Sequence, residues 1–187
     1  MDLLLLGPPG AGKGTQGALI AGRLGIPKFA TGDLLRDAVK RGTPLGLEAR
    51  AVMEAGRLVG DEIILGIVRE QLARPEAAAG VVFDGVVRTV PQAVGVTAIL
   101  EERGRRMDRV LFFDVSDQEI LARLERRRGL EHRADDDPAA VATRLRAYRG
   151  QTAPVLAWYR ARGTVDVIAA AGTVDEVTAR VRALLGR

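Results

Sequence analysis

Gly7-Pro8-Pro9-Gly10-Ala11-Gly12-Lys13-Gly14-Thr15 follows directly on the apolar run Leu3-Leu4-Leu5-Leu6, and a helical pattern carried by Ala18, Leu19, Ile20 and Leu24 comes after it. Strand, glycine-rich loop and helix in that order are what a phosphate-binding loop requires. The strand fixes the loop, the glycines let backbone N–H groups wrap an anion, and the helix N-terminus adds positive potential. Lys13 can reach terminal phosphates as a point charge. The stretch therefore predicts that the chain handles a nucleotide. One position departs from the common form, in which Ser or Thr follows the lysine and binds Mg²⁺. Gly14 stands there instead, with Thr15 one residue later. Glycine offers no ligand, so Mg²⁺ is expected to be held by nucleotide phosphates, water and carboxylates elsewhere.

The chain has 187 residues, of which 47% are apolar, enough for one domain with a substantial core and inserted segments. No apolar run approaches the ~20 residues of a membrane span, and Gly7-Pro8-Pro9 ends the first one too early for a secretory leader. With no cysteine, structural disulfides and thiolate zinc sites are excluded, and a cytoplasmic location is expected. The net charge is +4, but aromatics make up only 4% and charges of both signs are interspersed. That pattern argues against nucleic acid as a partner. The cations are nearly all arginine, with lysine only at Lys13, Lys28 and Lys40, and asparagine is absent. Both features suit a GC-rich genome. Individual arginines must therefore be argued from position rather than number.

Short β-rich runs at Leu3–Leu6, Lys28–Ala30, Val81–Asp84, Val110–Val115 and Val165–Ala169 alternate with helical stretches. The helices are too long to be hairpin turns, so the strands are expected to be parallel, with helices on both faces. Val81-Val82-Phe83 and Leu111-Phe112-Phe113 are continuously apolar, as strands buried on both sides are. Residues 30–60 and 126–137 fit this core poorly. Both read as excursions, and a chain that must enclose phosphates away from water often carries such lids.

Several side chains then fall where anions collect. Thr31 or Asp33 is placed to cap a helix after the second strand, and Arg36 lies on its first turns, near the strand ends where ligands gather. Asp84 ends a buried strand, where such a carboxylate orients a Mg²⁺ shell. Gln92 falls one turn into a helix behind Pro91, and its amide can both donate to and accept from a purine edge. Arg123 and Arg127 share a helix face and would repel without an anion between them, whereas Arg126 and Arg128 read as a solvated face. Asp135 and Asp136 are placed to pair with arginines of the lid. His132, the single histidine, has no partner suited to acid–base work. Phosphoryl transfer needs little such help, because its loose transition state is stabilised by positioning, Mg²⁺, Lys and Arg.

Taken together, Gly7–Thr15 with Gln16, Thr31-Gly32-Asp33-Leu34-Leu35-Arg36, Gly42-Thr43-Pro44-Leu45-Gly46, Asp61-Glu62-Ile63-Ile64, Phe83-Asp84-Gly85 with Arg88-Thr89 and Gln92, Arg133-Ala134-Asp135-Asp136, Arg144-Leu145 with Tyr148, and Thr152-Ala153-Pro154 resemble the adenylate kinase family, of the bacterial type with a short, non-zinc lid. The resemblance implies an α/β, three-layer P-loop fold with a five-stranded parallel sheet. The core would be residues 1–29, 60–125 and 138–187, with an AMP-binding arm at 30–59 and a lid at 126–137. It implies phosphoryl transfer from ATP to AMP, giving two ADP, with Mg²⁺. The expected ATP site is Gly10, Ala11, Gly12, Lys13, Gly14, Thr15, Arg123, Arg127 and Gly172. The expected AMP site is Thr31, Arg36, Arg57, Leu58, Val59, Gly85, Val86, Val87, Arg88, Gln92, Arg133 and Arg144. Lys13, Arg88, Arg123, Arg127, Arg133 and Arg144 would be the catalytic cations, and Asp33 and Asp84 would hold Mg²⁺ through water. The resemblance also implies a monomer, with no membrane and no nucleic acid as partner.

The chain departs from the family pattern around the acceptor. Where the family has Asp-Gly-Phe-Pro-Arg, this chain has Asp84-Gly85-Val86-Val87-Arg88. The family proline follows a cis bond, which would cost about 3–4 kcal/mol before a valine. A trans bond is expected here, with a displaced or more mobile Arg88 and weaker AMP binding. Gly60 stands where the family usually has proline, which loosens the unfolded chain and the hinge. A kinase for UMP or CMP and a nucleotide binder with impaired turnover are the alternatives. A regulatory GTPase is excluded by the absence of asparagine, which its base-reading segment needs.

Overall fold

In the computed structural model, which describes residues 1–55, 57–131, 137–163 and 165–186, the first apolar run is the strand β1 (Asp2–Leu6), buried at every position. Its side chains alternate between two cores. Leu4 and Leu6 pack with Phe83, Val96, Leu100 and Val155, while Leu3 and Leu5 pack with Ile20, Leu111, Ile168 and Val181. A strand buried on both faces has no polar side to give up, which is why the run reads as four consecutive leucines. Truncating one such leucine to alanine removes about 2–5 kcal/mol.

Around β1 the sheet has the order β2-β3-β1-β4-β5, with β2 (Lys28–Ala30), β3 (Val81–Asp84), β4 (Arg109–Asp114) and β5 (Val165–Ala169). Every pairing is parallel. The chain leaves β1 toward β2 and leaves β3 toward β4, in opposite directions across the sheet. Neighbouring strands that diverge in this way open a crevice at their C-terminal ends. The register sets Leu5 of β1 and Ala30 of β2 beside Asp84.

Among the described residues the helices are α1 (Lys13–Leu24), α2 (Thr31–Arg41), α3 (Pro44–Glu54), α4 (Asp61–Leu72), α5 (Val90–Glu101), α6 (Asp117–Glu131), α7 (Pro138–Ala147), α8 (Ala153–Arg160) and α9 (Val174–Leu185). Ile20 and Ala21 of α1 and Val177 and Val181 of α9 cover one face of the sheet. Ile64 and Val68 of α4, Val96 and Ile99 of α5 and Val155 of α8 cover the other. Thr89 caps α5 by accepting from the Gln92 N–H at 3.2 Å, with Pro91 in the first turn.

The cap of α2 differs from the expectation. Neither Thr31 nor Asp33 caps α2. The helix already begins at Thr31, so the cap residue is Ala30, whose side chain has no acceptor, while Asp33 lies inside the first turn and pairs with Arg36 and, at 3.7 Å, Lys28. The first part of the charged segment 126–137 is helical, since α6 continues to Glu131. His132, Arg133, Asp135 and Asp136 lie outside the described residues.

Gly60, at the start of α4, has φ −55° and ψ 145°, and a Cβ there would meet nothing within 4 Å. A proline ring accepts that φ, and the position precedes the intrahelical donors. Gly60→Pro is therefore expected to stabilise the fold by about 0.4–1 kcal/mol, raising the thermal midpoint by about 1–4 °C for a chain of this size. A lowered midpoint would show that the conformation is strained for proline.

Candidate active site

The crevice at the strand ends is a cleft of ≈ 860 Å³, within the range of ligand sites. Its floor is the loop after β1. Gly12 takes φ 89° as the cap of α1, a left-handed conformation that glycine adopts without the cost other residues bear. That turn starts α1 at Lys13, so the positive end of the helix faces the cleft. Lys13 Nζ donates to the carbonyls of Gly7 and Pro8, both at 2.8 Å, and so lies folded back on the loop.

The cleft is lined by Gly10 through Thr15, by Thr31, Asp33, Arg36, Arg57, Leu58 and Val59 on one side, and by Asp84, Gly85, Val86, Arg88 and Gln92 at the end of β3. Arg123, Arg127, Arg144 and Gly172 close the other side. The fold thus brings together every residue of the expected ATP, AMP and Mg²⁺ sites except two. Val87 lies beneath, 1% exposed, against a small cavity of ≈ 70 Å³ bounded by Leu58, Arg88, Arg144 and Thr152, and Arg133 is outside the described residues. Arg126, read from sequence as part of a solvated face, also lines the cleft, 4.0 Å from Glu119.

Charge dominates the lining. Lys13, Lys28, Arg36, Arg57, Arg88, Arg123, Arg126, Arg127 and Arg144 face only Asp33, Asp84 and Glu119 among the described residues. Two of these carboxylates are engaged, Asp33 by Arg36 and Lys28, and Glu119 by Arg123 Nε at 2.7 Å. Burial pushes the Lys13 ammonium down to about 8; Asp84 opposes the shift, while Arg88, Arg144 and Arg127 reinforce it. Asp84 Oδ2 stands 3.6 Å from where a Cβ on Gly14 would be. The position that usually carries the metal-binding hydroxyl therefore faces a carboxylate. Carboxylate oxygens suit Mg²⁺, which prefers hard ligands and retains waters.

The acceptor side is held by a network of which sequence showed only the ends. Arg88 accepts at its carbonyl from Thr152 Oγ1 at 2.9 Å, donates its backbone N–H to Gln92 Oε1 at 2.7 Å, and donates from Nε to the Gly85 carbonyl at 3.0 Å. The described peptide bonds, including the one before Val87, are trans, as expected. Arg88 lines the cleft. Val86 and Val87 anchor the turn from below, at 2% and 1% exposure, within the larger core. Gln92 is 1% exposed, and its amide is committed to Arg88 and, from Nε2 at 2.8 Å, to Asp61 Oδ1. These two bonds use its Oε1 and one of the two N–H groups of Nε2.

Asp61 is the residue that sequence reasoning missed. Its Oδ1 accepts from both Gln92 and Thr89, the latter at 3.0 Å. It ties the first residue of α4 to the cap of α5, so losing it would leave a buried amide donor unpaired at a cost of about 1–3 kcal/mol. Two signals pointed to it: its place just after Gly60, where the excursion rejoins the core, and the Asp61-Glu62-Ile63-Ile64 stretch that matches the family pattern.

A phosphate loop on the central strand of a parallel sheet, facing converging arginines, defines the class of P-loop phosphotransferases. A family model described as adenylate kinase matches residues 5–164, and the chain belongs to that family. It is 47% identical to an adenylate kinase of Gemmatimonas aurantiaca over 211 aligned positions, covering 99% of each chain. It is 46% identical to one of Beijerinckia indica, again over 99% of each. Against one of Thermus thermophilus the identity is 47%, over 98% of this chain and 96% of the other.

The lowered Lys13 value has a direct check. The ordinary lysine value is 10.5, so between pH 8 and 10.5 the unfolded chain binds the extra proton and the native state gains stability as pH rises; below pH 8 both forms are protonated. With only three lysines, the side-chain NMR signals can be assigned by substitution. One signal is expected to titrate near pH 8 in the ligand-free protein and to vanish in Lys13→Arg. A Lys13 midpoint above 10 would contradict the burial argument.

Proposed function

We propose that this chain transfers the γ-phosphoryl group of ATP to AMP, reversibly, giving two ADP. The observation that carries the reading is one continuous cleft, with a surplus of six cations among its described lining residues, that runs from the phosphate loop to the acceptor network. Two nucleotides meeting through their phosphates need such a lining; a single uncharged ligand does not.

In this reading Gly10 to Thr15 and the N-terminus of α1 hold the ATP phosphates. Lys13 exchanges its contacts with Gly7 and Pro8 for the terminal phosphates. Arg123 and Arg127 reach ATP from α6, with Gly172 beside its base. AMP lies between Thr31, Arg36, Arg57, Leu58 and Val59 on one side and Gly85, Val86, Val87, Arg88 and Gln92 on the other. An oxygen of the AMP phosphate attacks the γ-phosphorus, the bond from that phosphorus to the β,γ-bridging oxygen breaks, and the departing ADP keeps that electron pair. Arg88, Arg133 and Arg144 stabilise the charge spread over the transferring group, so that positioning and electrostatics supply the catalysis.

The family works with Mg²⁺-bound ATP. The ion neutralises phosphate charge, and Asp84 and Asp33 are the carboxylates that would orient its water shell. A thiolate zinc site in the lid has no ligands, because the chain has no cysteine. The lid would be residues 126–137 and the AMP arm residues 30–59, as the sequence suggests. All these groups come from one chain, so the reading takes the protein as a monomer, placed in the cytoplasm with its nucleotide substrates. No described helix is long and apolar enough to cross a membrane. Because Arg88 is held independently of a proline, the acceptor site is taken as working rather than impaired.

The test is to follow γ-labelled ATP with AMP, UMP or CMP as acceptor. Label is expected in the β-position of ADP, with AMP preferred. Arg144→Met is expected to lower kcat by about 10²–10³, the usual cost of removing one preorganised charge-stabilising donor. No labelled ADP, or equal use of UMP, would refute the reading.

A further inference from the structure

From the end of β5 into the loop before α9 the chain presents four consecutive carbonyls, and each is taken by an arginine. Arg180 Nη1 donates to Ala169 at 2.8 Å and to Ala171 at 2.6 Å. Arg123 Nη2 donates to Ala170 at 2.8 Å and to Gly172 at 3.4 Å. Alternate carbonyls thus go to opposite partners, one on α9 and one on α6. The loop is fixed further at both ends. The Ala170 N–H donates to the Asp114 carbonyl at 2.7 Å, and Glu176 Oε2 accepts from the Thr173 N–H at 2.8 Å. Gly172 takes φ 106°, and a Cβ there would stand 2.3 Å from Glu176 Oε2, so the carboxylate closes over the glycine.

The two arginines differ in one respect. Arg123 lines the cleft, and its Nη1 is 3.8 Å from where a Cβ on Gly12 would lie. A nucleotide on the phosphate loop competes for the guanidinium that holds Ala170 and Gly172. Arg180 is not among the cleft-lining residues, so its two carbonyl contacts face no such competition. The loop side chains, three alanines and a glycine, carry no polar atom. Whatever this loop reads of a base it reads with main-chain groups, whose position is all that separates one purine from another.

We propose that Arg180 is a positioning residue for the donor nucleotide. By holding Ala169 and Ala171 it keeps Gly172 and its neighbours at the base-binding end of the cleft when Arg123 exchanges its carbonyls for ATP. The inference rests on the reading that ATP lies along the phosphate loop with its base at Gly172.

The experiment compares the unmodified chain, Arg180→Ala and Arg180→Lys by initial rates with ATP or GTP as donor and AMP as acceptor. Binding of Mg²⁺-bound ATP alone is measured calorimetrically alongside. Arg180→Ala is expected to raise the KM and Kd for ATP about tenfold, as the loss of charge-assisted hydrogen bonds implies. It should narrow the preference for ATP over GTP in kcat/KM and leave kcat and the KM for AMP within about twofold. Arg180→Lys should restore most of the ATP affinity, since an ammonium can donate to both carbonyls. An unchanged ATP affinity, or equal rises in the KM for ATP and for AMP, would overturn the proposal. If the unmodified chain binds ATP but does not phosphorylate AMP, the functional reading fails instead, and the calorimetric comparison still decides the role of Arg180.

Discussion

Like charges repel, and nine of them line a single cleft against three carboxylates among the described residues. Such a concentration destabilises a compact state. It persists because the groups are mounted on a frame that cannot easily relax: a five-stranded parallel sheet covered on both faces. The acids of the cleft reduce the repulsion locally, Asp33 between Lys28 and Arg36 and Glu119 beside Arg123. These partly exposed pairs contribute about 0–1 kcal/mol each. Burial is the main cause of the depressed Lys13 value, with Arg88, Arg144 and Arg127 reinforcing it, and an anion with several negative charges suits such a lining.

This view explains which parts of the molecule were legible in the sequence. Four consecutive leucines before Gly7 can only be a strand buried on both faces. Gly12-Lys13 then fixes where the anion lies, so the sheet, its parallel sense and the phosphate loop follow from local pattern. The acceptor network was not legible, because its bonds join residues about 30 to 60 positions apart, Asp61 to Gln92 and Arg88 to Thr152. Gln92 was recognisable as a polar residue behind a helix-starting proline. That its amide is already committed to Arg88 and Asp61 depends on packing that no periodicity encodes. Arg180 was equally silent, since an arginine on the second turn of an exposed helix reads as solvated surface until the carbonyls of Ala169 and Ala171 are placed beside it.

The substitutions around the acceptor show the same division between local and tertiary causes. Read locally, Val86-Val87 removes a conformational constraint and should loosen Arg88. In the fold both valines are buried in the larger core, and hydrogen bonds from Thr152 and to Gln92 hold the Arg88 main chain on either side. Packing from below takes over what a proline would have imposed on the backbone. Asp33 makes the complementary point. Read locally it could cap α2, but the helix begins two residues earlier, at Thr31, and its carboxylate pairs with Arg36 and Lys28 instead.

A nucleotide is expected to be drawn by the surplus of positive charge among the described lining residues at the end of the sheet. The most direct measurement is the thermal midpoint of the ligand-free protein titrated separately with ATP, tripolyphosphate and adenosine at low and high salt. Ligands that bind the native state raise the midpoint according to affinity, and charge-driven binding weakens as salt rises. ATP and tripolyphosphate are both expected to stabilise, more at low salt, while adenosine does so only weakly. Stabilisation by adenosine equal to that by ATP, with no effect of tripolyphosphate, would contradict that expectation.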